Sequence, residues 1–240
     1  MNILAIDTST KQFSLAVSVG GKIAAHRDIV LNKVLSSSII PAIDQMLKRL
    51  KVKLEDIDGY AVGLGPGSFT SLRVGLSTVK AFCFATGKPV IGIPSLDTLA
   101  QSVIDESVDQ ICTLVDARRN MVYASLYEKK EESLKRVSDY MLTGLDAVLD
   151  KVEGKTLYVG DAIPLYREAI LKKYNEAAKK RKTSCKALFA QEKFWYPQAR
   201  ELAKIAMERF EHSSPGSAFD SIENLVPLYL YPEDCQVTPR

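Results

Sequence analysis

The feature that most constrains the fold is a pattern that runs through the chain twice. Residues 2–7 (NILAID) and 111–116 (ICTLVD) are short apolar runs that end in an aspartate, as buried strands do. After the first, residues 13–19 alternate as FSLAVSV, Gly20-Gly21 signals a tight turn, and 22–29 return to complete a hairpin. A helix over about 33–50 follows, with Leu35, Ile39, Ala42, Ile43, Met46 and Leu50 on one stripe. Pro41 inside that stripe predicts a kink or a late start. A strand at 60–64, a helix at 68–86, a strand at 90–93 and a helix at 95–106 complete the first copy.

The second copy offers strands at 121–128 and 134–140, a helix at 145–150, a strand at 156–159 and a helix at 163–178. Both read β-β-β-α-β-α, a repeat of elements rather than identities, with the second copy shortened. Antiparallel-compatible strands followed by βα units predict a mixed sheet with helices on its faces, twice over, in an α/β protein. A last amphipathic helix at 198–211 places Ala199, Leu202, Ala203, Ala206 and Phe210 on one face. The expected division is 1–106, a shortened 107–196, and a helix and tail over 197–240 that pack back on the first domain.

Composition enters mainly by exclusion. Lys plus Arg is 32 and Asp plus Glu is 29, a formal charge of +3 over 240 residues, which neither demands nor excludes a nucleic-acid partner. No run approaches about 18 apolar residues, and the opening MNILAIDTST lacks the basic and long apolar stretches of a signal peptide. Cys83, Cys112, Cys185 and Cys235 make no ligand spacing, so reduced thiols in the cytoplasm are expected. Only His26 and His212 are available, with no HxxxH or HExxH, so neither a histidine metal site nor a hydrolytic triad is expected.

Four segments carry chemistry. Asp7-Thr8-Ser9-Thr10 ends a strand with a carboxylate and three hydroxyls; it either contacts a nucleotide's phosphates or caps its own turn. In GLGPGSFT (63–70), Gly65 and Gly67 permit a tight turn, Ser68 can cap the helix, and free N–H groups attract an anion, or the loop is plain turn chemistry. No Lys-Ser/Thr follows, so it is not a Walker A loop. Asp116-Ala117-Arg118-Arg119-Asn120 is a polar turn that holds phosphate or a salt bridge. The stretch 172–193 holds eight lysines and arginines against Glu176 and Glu192, a solvated face or an RNA contact through Lys179, Lys180, Arg181 and Lys182.

The helix over 68–86 is apolar on two sides. Leu72, Leu76, Val79 and Cys83 line one, Val74, Ala81 and Ala85 the other, leaving a polar sector with Thr70, Arg73, Ser77 and Lys80. Either it is wedged within one domain, or its second face meets a partner. Ile40 and Leu47 lie off the main stripe of the preceding helix.

Together these segments resemble the bacterial TsaB (YeaZ) family. The match runs from ILAIDTS (3–9) through GLGPGSFTSLRVG (63–75) and GIPSLD (92–97) to DARR (116–119) with Val122-Tyr123, and ends in PLYL (227–230). The resemblance implies an actin-like ATPase (ASKHA) fold of two related domains. It implies a non-catalytic scaffold that pairs with its paralogue TsaD and with TsaE in making threonylcarbamoyladenosine beside the anticodon of ANN-decoding tRNAs. TsaD carries the HxxxH; residues 32–40 here, NKVLSSSII, offer no metal ligand. No tightly bound cofactor is expected, with ATP or ADP entering only in the assembled complex. The alternative is a small actin-like-fold ATPase or phosphotransferase using Asp7, Thr8, Ser9, Gly65, Gly67, Ser68 and Asp116.

An exposed paired-helix surface predicts a homodimer when the chain is alone, displaced by TsaD. Its expected residues are Leu35, Ile39 and Ile40 with Val74, Ala81 and Ala85, leaving Leu72, Leu76 and Val79 for the core. On that assignment Val74→Arg gives a folded monomer and Leu76→Arg unfolds the domain.

Overall fold

Side chains alternate across a strand, so a strand apolar at successive positions must be covered on both faces. The first strand, β1 (Ile3–Asp7), is buried at every position. The computed structural model describes residues 1–30, 35–104, 106–130, 133–180, 186–212 and 221–231, and of 177–180 the backbone only. β1 pairs antiparallel with β2 (Gln12–Val19), which pairs antiparallel with β3 (Lys22–Val30). On its other side β1 runs parallel to β4 (Gly59–Gly63), and β4 runs parallel to β5 (Val90–Ile93). The order is β3-β2-β1-β4-β5.

Two helices cover one face. Leu4, Ile6, Leu15 and Val17 share a core with Ile39, Ile43 and Met46 of α1 (Leu35–Leu50) and with Leu76, Val79 and Cys83 of α2 (Phe69–Thr86). Pro41 lies inside α1, which begins well before it, so the late start does not occur. A short α3 (Ser95–Gln101) follows β5 and ends five residues before the expected limit. Ile3, Ala5, Ala16 and Ala61 pack on the opposite face. Their cover is α6 (Ala199–Glu211), through Leu202, Ala203, Ala206 and Phe210. Small residues let this helix lie close: a Cβ at Gly59 would overlap the Phe210 ring.

The second unit repeats the order with new strands. Its members are β6 (Gln110–Arg118), β7 (Met121–Lys130), β8 (Ser133–Arg136), β9 (Met141–Thr143), β10 (Lys155–Val159) and β11 (Lys186–Phe189). The path β8-β7-β6-β10-β11 matches β3-β2-β1-β4-β5 strand for strand, down to the parallel pairs beside the central strand. α4 (Leu145–Leu149) has 5 residues where α1 has 16, and α5 (Ile163–Lys180) follows β10.

Two differences from the sequence pattern have physical causes. The strand expected over 134–140 ends at Arg136 as β8, and a separate strand, β9, begins only at Met141; both pair with β7. Between them the Ser138 hydroxyl accepts the Leu126 N–H at 2.9 Å, so a side chain interrupts the ladder. β11 was hidden inside the basic stretch, because a short edge strand keeps little apolar alternation. The chain divides into 1–103 with 191–227, and 104–190 with 228–240, against expected limits at 106, 196 and 240. Residues 191–198 thus join the first unit ahead of α6.

Candidate functional site

Asp7 ends β1, the glycine-rich loop joins β4 to α2, and Ser95 opens α3. The three meet in one buried knot. Asp7 is 1% exposed. Its Oδ1 accepts the Ser9 N–H at 2.8 Å and the Ser9 hydroxyl at 2.6 Å, and its Oδ2 accepts the Ser95 hydroxyl at 2.7 Å. The Ser95 Oγ accepts the Gly65 N–H at 3.1 Å, and the Ser95 N–H donates to the Gly65 carbonyl at 2.7 Å. The Ser68 N–H donates to the Ser9 carbonyl at 2.7 Å, and the Thr8 hydroxyl to the Ser71 carbonyl at 2.8 Å. Cβ atoms at Gly63, Gly67 and Gly75 would overlap the Asp7 carboxylate, the Ser9 carbonyl and the Thr8 side chain.

Asp7, Thr8, Ser9, Gly65, Gly67 and Ser68 are therefore brought together, but against one another. The Gly65 and Ser68 N–H groups that would wrap an anion are spent on Ser95 and Ser9. Ser68 holds the N-cap position of α2 without a side-chain cap bond; its hydroxyl lies 3.0 Å from the Ser71 hydroxyl. This corrects the expectation of a capping serine side chain.

Burial raises the Asp7 carboxyl above its ordinary value, and the bonds from Ser9 and Ser95 only partly pull it back. A raised native value means that folding favours the protonated acid. Its contribution is complete below about pH 4, the unfolded value, and is lost as pH rises through the native one. The stability of the wild type relative to Asp7→Asn should decline from pH 4 toward pH 8 in urea unfolding. An advantage that grows with pH would mean that the hydrogen bonds outweigh burial.

Asp116 belongs to the second unit and forms its own small knot. Its Oδ1 accepts the Arg118 N–H at 2.9 Å, its Oδ2 lies 3.2 Å from the Arg118 guanidinium, and its N–H donates to Asp161 at 3.0 Å. Tyr166 is pushed up by burial and then by this carboxylate. Arg118, Arg119 and Asn120 have φ of 67°, 53° and 59°, in the left-handed region where a Cβ is unfavourable. The turn thus stores strain, held by the Asp116 bonds and by the Tyr231 hydroxyl donating to the Ala117 carbonyl at 2.7 Å. Arg119→Gly should raise stability by about 0.5 kcal/mol, readable by urea unfolding, because the relief exceeds the added chain entropy.

On the helical face the structure redraws the sequence assignment. Leu35 (6% exposed) and Ile39 (1%) belong to the core, and Leu47 joins them instead of lying off the stripe. Leu72, Leu76 and Val79 are buried, whereas Val74 is half-buried and packs against that core. Ile40 is 48% exposed, and Ala81 and Ala85 are exposed. Two aromatic residues were missed: Phe69 (53%), with the Arg73 guanidinium 3.8 Å from its ring centre, and Phe84 (89%). The signal was present, since Phe84 stands four residues after Lys80 and eleven after Arg73, on the polar sector. A groove of about 460 Å³ runs between α1 and α2, lined by Ile39, Ile40, Phe69, Arg73 and Val74 among others.

Lys179 and Lys180 lie in the last turn of α5, where only the backbone is described, and Arg181 and Lys182 lie outside the described residues. Cys83 and Cys112 are buried thiols, the first pushed up to about 11 and the second further, both by burial. Cys185 and Cys235 also lie outside the described residues. Among the described residues no helix is long and apolar enough to cross a membrane.

Two units with the same five-strand order, helices on the sheet faces and an aspartate at or near the end of each central strand define the class: an actin-like ATPase fold. YeaZ from Pseudomonas aeruginosa matches with a TM-score of 0.76 over 95% of this chain and 99% of that one, at 21% identity. A ROK hexokinase from Thermus thermophilus matches at 0.51 over 89% and 100%, at 11% identity. Both likenesses are of fold. The family model TsaD, tRNA N6-adenosine threonylcarbamoyltransferase, matches residues 30–234. The chain belongs to that family, and its relatives include several TsaB proteins. The tRNA threonylcarbamoyladenosine biosynthesis protein TsaB of Escherichia coli is 32% identical over 135 residues, 56% of this chain and 58% of the relative. Its namesake in Haemophilus influenzae is 34% identical over 52% of this chain and 53% of its own length. These two alignments span little more than half of each relative. The TsaB of Buchnera aphidicola is 29% identical over 89% of this chain and 95% of its own.

Proposed function

We propose that this chain is a non-catalytic subunit in the biosynthesis of threonylcarbamoyladenosine on tRNA, in the cytoplasm, acting by pairing with TsaD and TsaE. One observation carries the reading: Asp7, Ser9, Ser95 and the Gly65 and Ser68 amides, which have phosphate-site chemistry, are bonded to one another in the Asp7 knot. Catalysis by phosphoryl transfer needs donors aimed at developing charge, and here they are aimed at protein carbonyls and hydroxyls. The exposed side of α2 with Ile40, by contrast, offers apolar surface of the kind that marks an interface. The related names of the family model and of the relatives support the pathway.

The test is reconstitution with TsaD, TsaE, tRNA and threonylcarbamoyl-adenylate. Modification should fall to background when this chain is omitted, and unchanged modification would end the proposal. Calorimetry of the isolated chain with ATP and magnesium should show no binding; micromolar affinity with turnover would favour an actin-like ATPase instead.

A further inference from the structure

Phe194, Trp195 and Tyr196 form a run of three half-exposed aromatic side chains that starts at the end of a single 3₁₀ turn (Glu192–Phe194) and leads toward α6. Other cations on rings are single pairs, Arg73 on Phe69, Arg136 on Tyr140 and Arg167 on Phe189. Here two lysines sit on rings of one three-residue run. The Lys11 Nζ is 5.3 Å from the Tyr196 ring centre, and the Lys193 Nζ is 4.8 Å from that of Phe194. Lys11 and Lys193 are both exposed and come from opposite ends of the unit's sequence.

The backbone beneath this patch is fixed. The buried Gln198 amide donates to the Lys193 carbonyl at 2.6 Å, and the Trp195 N–H donates to the Glu192 carbonyl at 3.0 Å. The Ala199 N–H donates to the Ser14 Oγ at 2.7 Å, whose hydroxyl donates to Asp28 at 2.6 Å. Rings held in place present stacking surface at little ordering entropy.

We propose that Lys11, Lys193, Phe194, Trp195 and Tyr196 form a binding patch for single-stranded RNA, in which bases stack on the rings and the lysines meet the flanking phosphates. Stacking on aromatic faces together with cations that track the backbone is the chemistry that takes single strands without reading their sequence. The proposal deepens the proposed function by locating a contact with tRNA on described residues, and so rests on that reading.

Trp195 is the chain's one tryptophan, which makes the intact protein its own reporter. Titration with a single-stranded oligoribonucleotide of about ten uridines should quench at least half of its emission, because an indole stacked on a base loses fluorescence. Lys11→Gln with Lys193→Gln should weaken the binding about tenfold and lower the salt slope by roughly 1.4, two single-strand phosphate contacts. Tyr196→Leu should weaken it with the slope unchanged. Far-UV circular dichroism, unaltered in all variants, ensures that folding is not what is read. No quenching, or equal quenching by duplex RNA of the same length, overturns the stacking patch. So does equal quenching by polyglutamate, which would make it a surface for acidic protein. If the reconstituted modification requires this chain but Trp195 does not respond, the RNA patch alone fails. If Trp195 responds and modification does not require the chain, the functional reading fails and the patch stands.

Discussion

Gly67→Ala should remove about 3 kcal/mol of stability from the first unit, a large share of what holds a domain of this size together. A Cβ there has no space, because the Ser9 carbonyl fills it while accepting the Ser68 N–H. Moving the loop away would unmake that bond and draw the Gly65 amide off Ser95, which itself donates to Asp7. A buried carboxylate that loses a donor is strongly penalised. Gly144→Ala, at the start of α4 with open space around its Cα, should change stability by no more than about 0.5 kcal/mol. Urea unfolding followed by Trp195 emission reports the first unit, and far-UV circular dichroism reports the Gly144 variant. A Gly67→Ala protein as stable as the wild type would show that the loop can leave the knot freely.

Phe84→Arg should leave the protein folded and reduce the reconstituted tRNA modification about 30-fold, the loss of one interface anchor worth about 2 kcal/mol. At 89% exposure Phe84 supports nothing in the isolated chain, so its replacement has little to destabilise. Leu76→Arg, in the core with Val79 and Cys83, should unfold the first unit instead. Val74→Arg falls between these extremes, because Val74 both lines the groove and packs on the core. The pair Phe84→Arg and Leu76→Arg therefore separates docking from folding more cleanly than any change at Val74. Circular dichroism of both variants beside the modification rate is the measurement. A folded Phe84→Arg protein with full activity would remove α2 from the docking surface.

Much of the fold could be read from alternation alone. NILAID is apolar at every position but its ends and ICTLVD is interrupted only by Thr113 before its aspartate, and a strand can bear that only at the centre of a covered sheet, where both are found. The stripe of Ile39, Ile43 and Met46 likewise determined which side of α1 is buried. Elements without such a period were harder to see. β11 has four residues behind a run of charge, and the break between β8 and β9 turns on one serine hydroxyl bonding across to β7.

The paired architecture, the aspartates at or near the central strand ends and the glycines of the loop after β4 are legible in the residue pattern. What those residues bond to emerges from the folding of distant segments onto one another. Asp7 and Ser95 are 88 positions apart, and Ser9 and Ser68 are 59 apart, so nothing local shows that the hydroxyls and amides of a would-be phosphate cradle are each other's partners. The same holds for Lys11 and Tyr196, at opposite ends of the first unit's sequence. The physical reason is that a polar group's role is set by whichever group satisfies it when it is buried. Periodicity records that a side chain is buried, but its partner is chosen by the packing of distant segments.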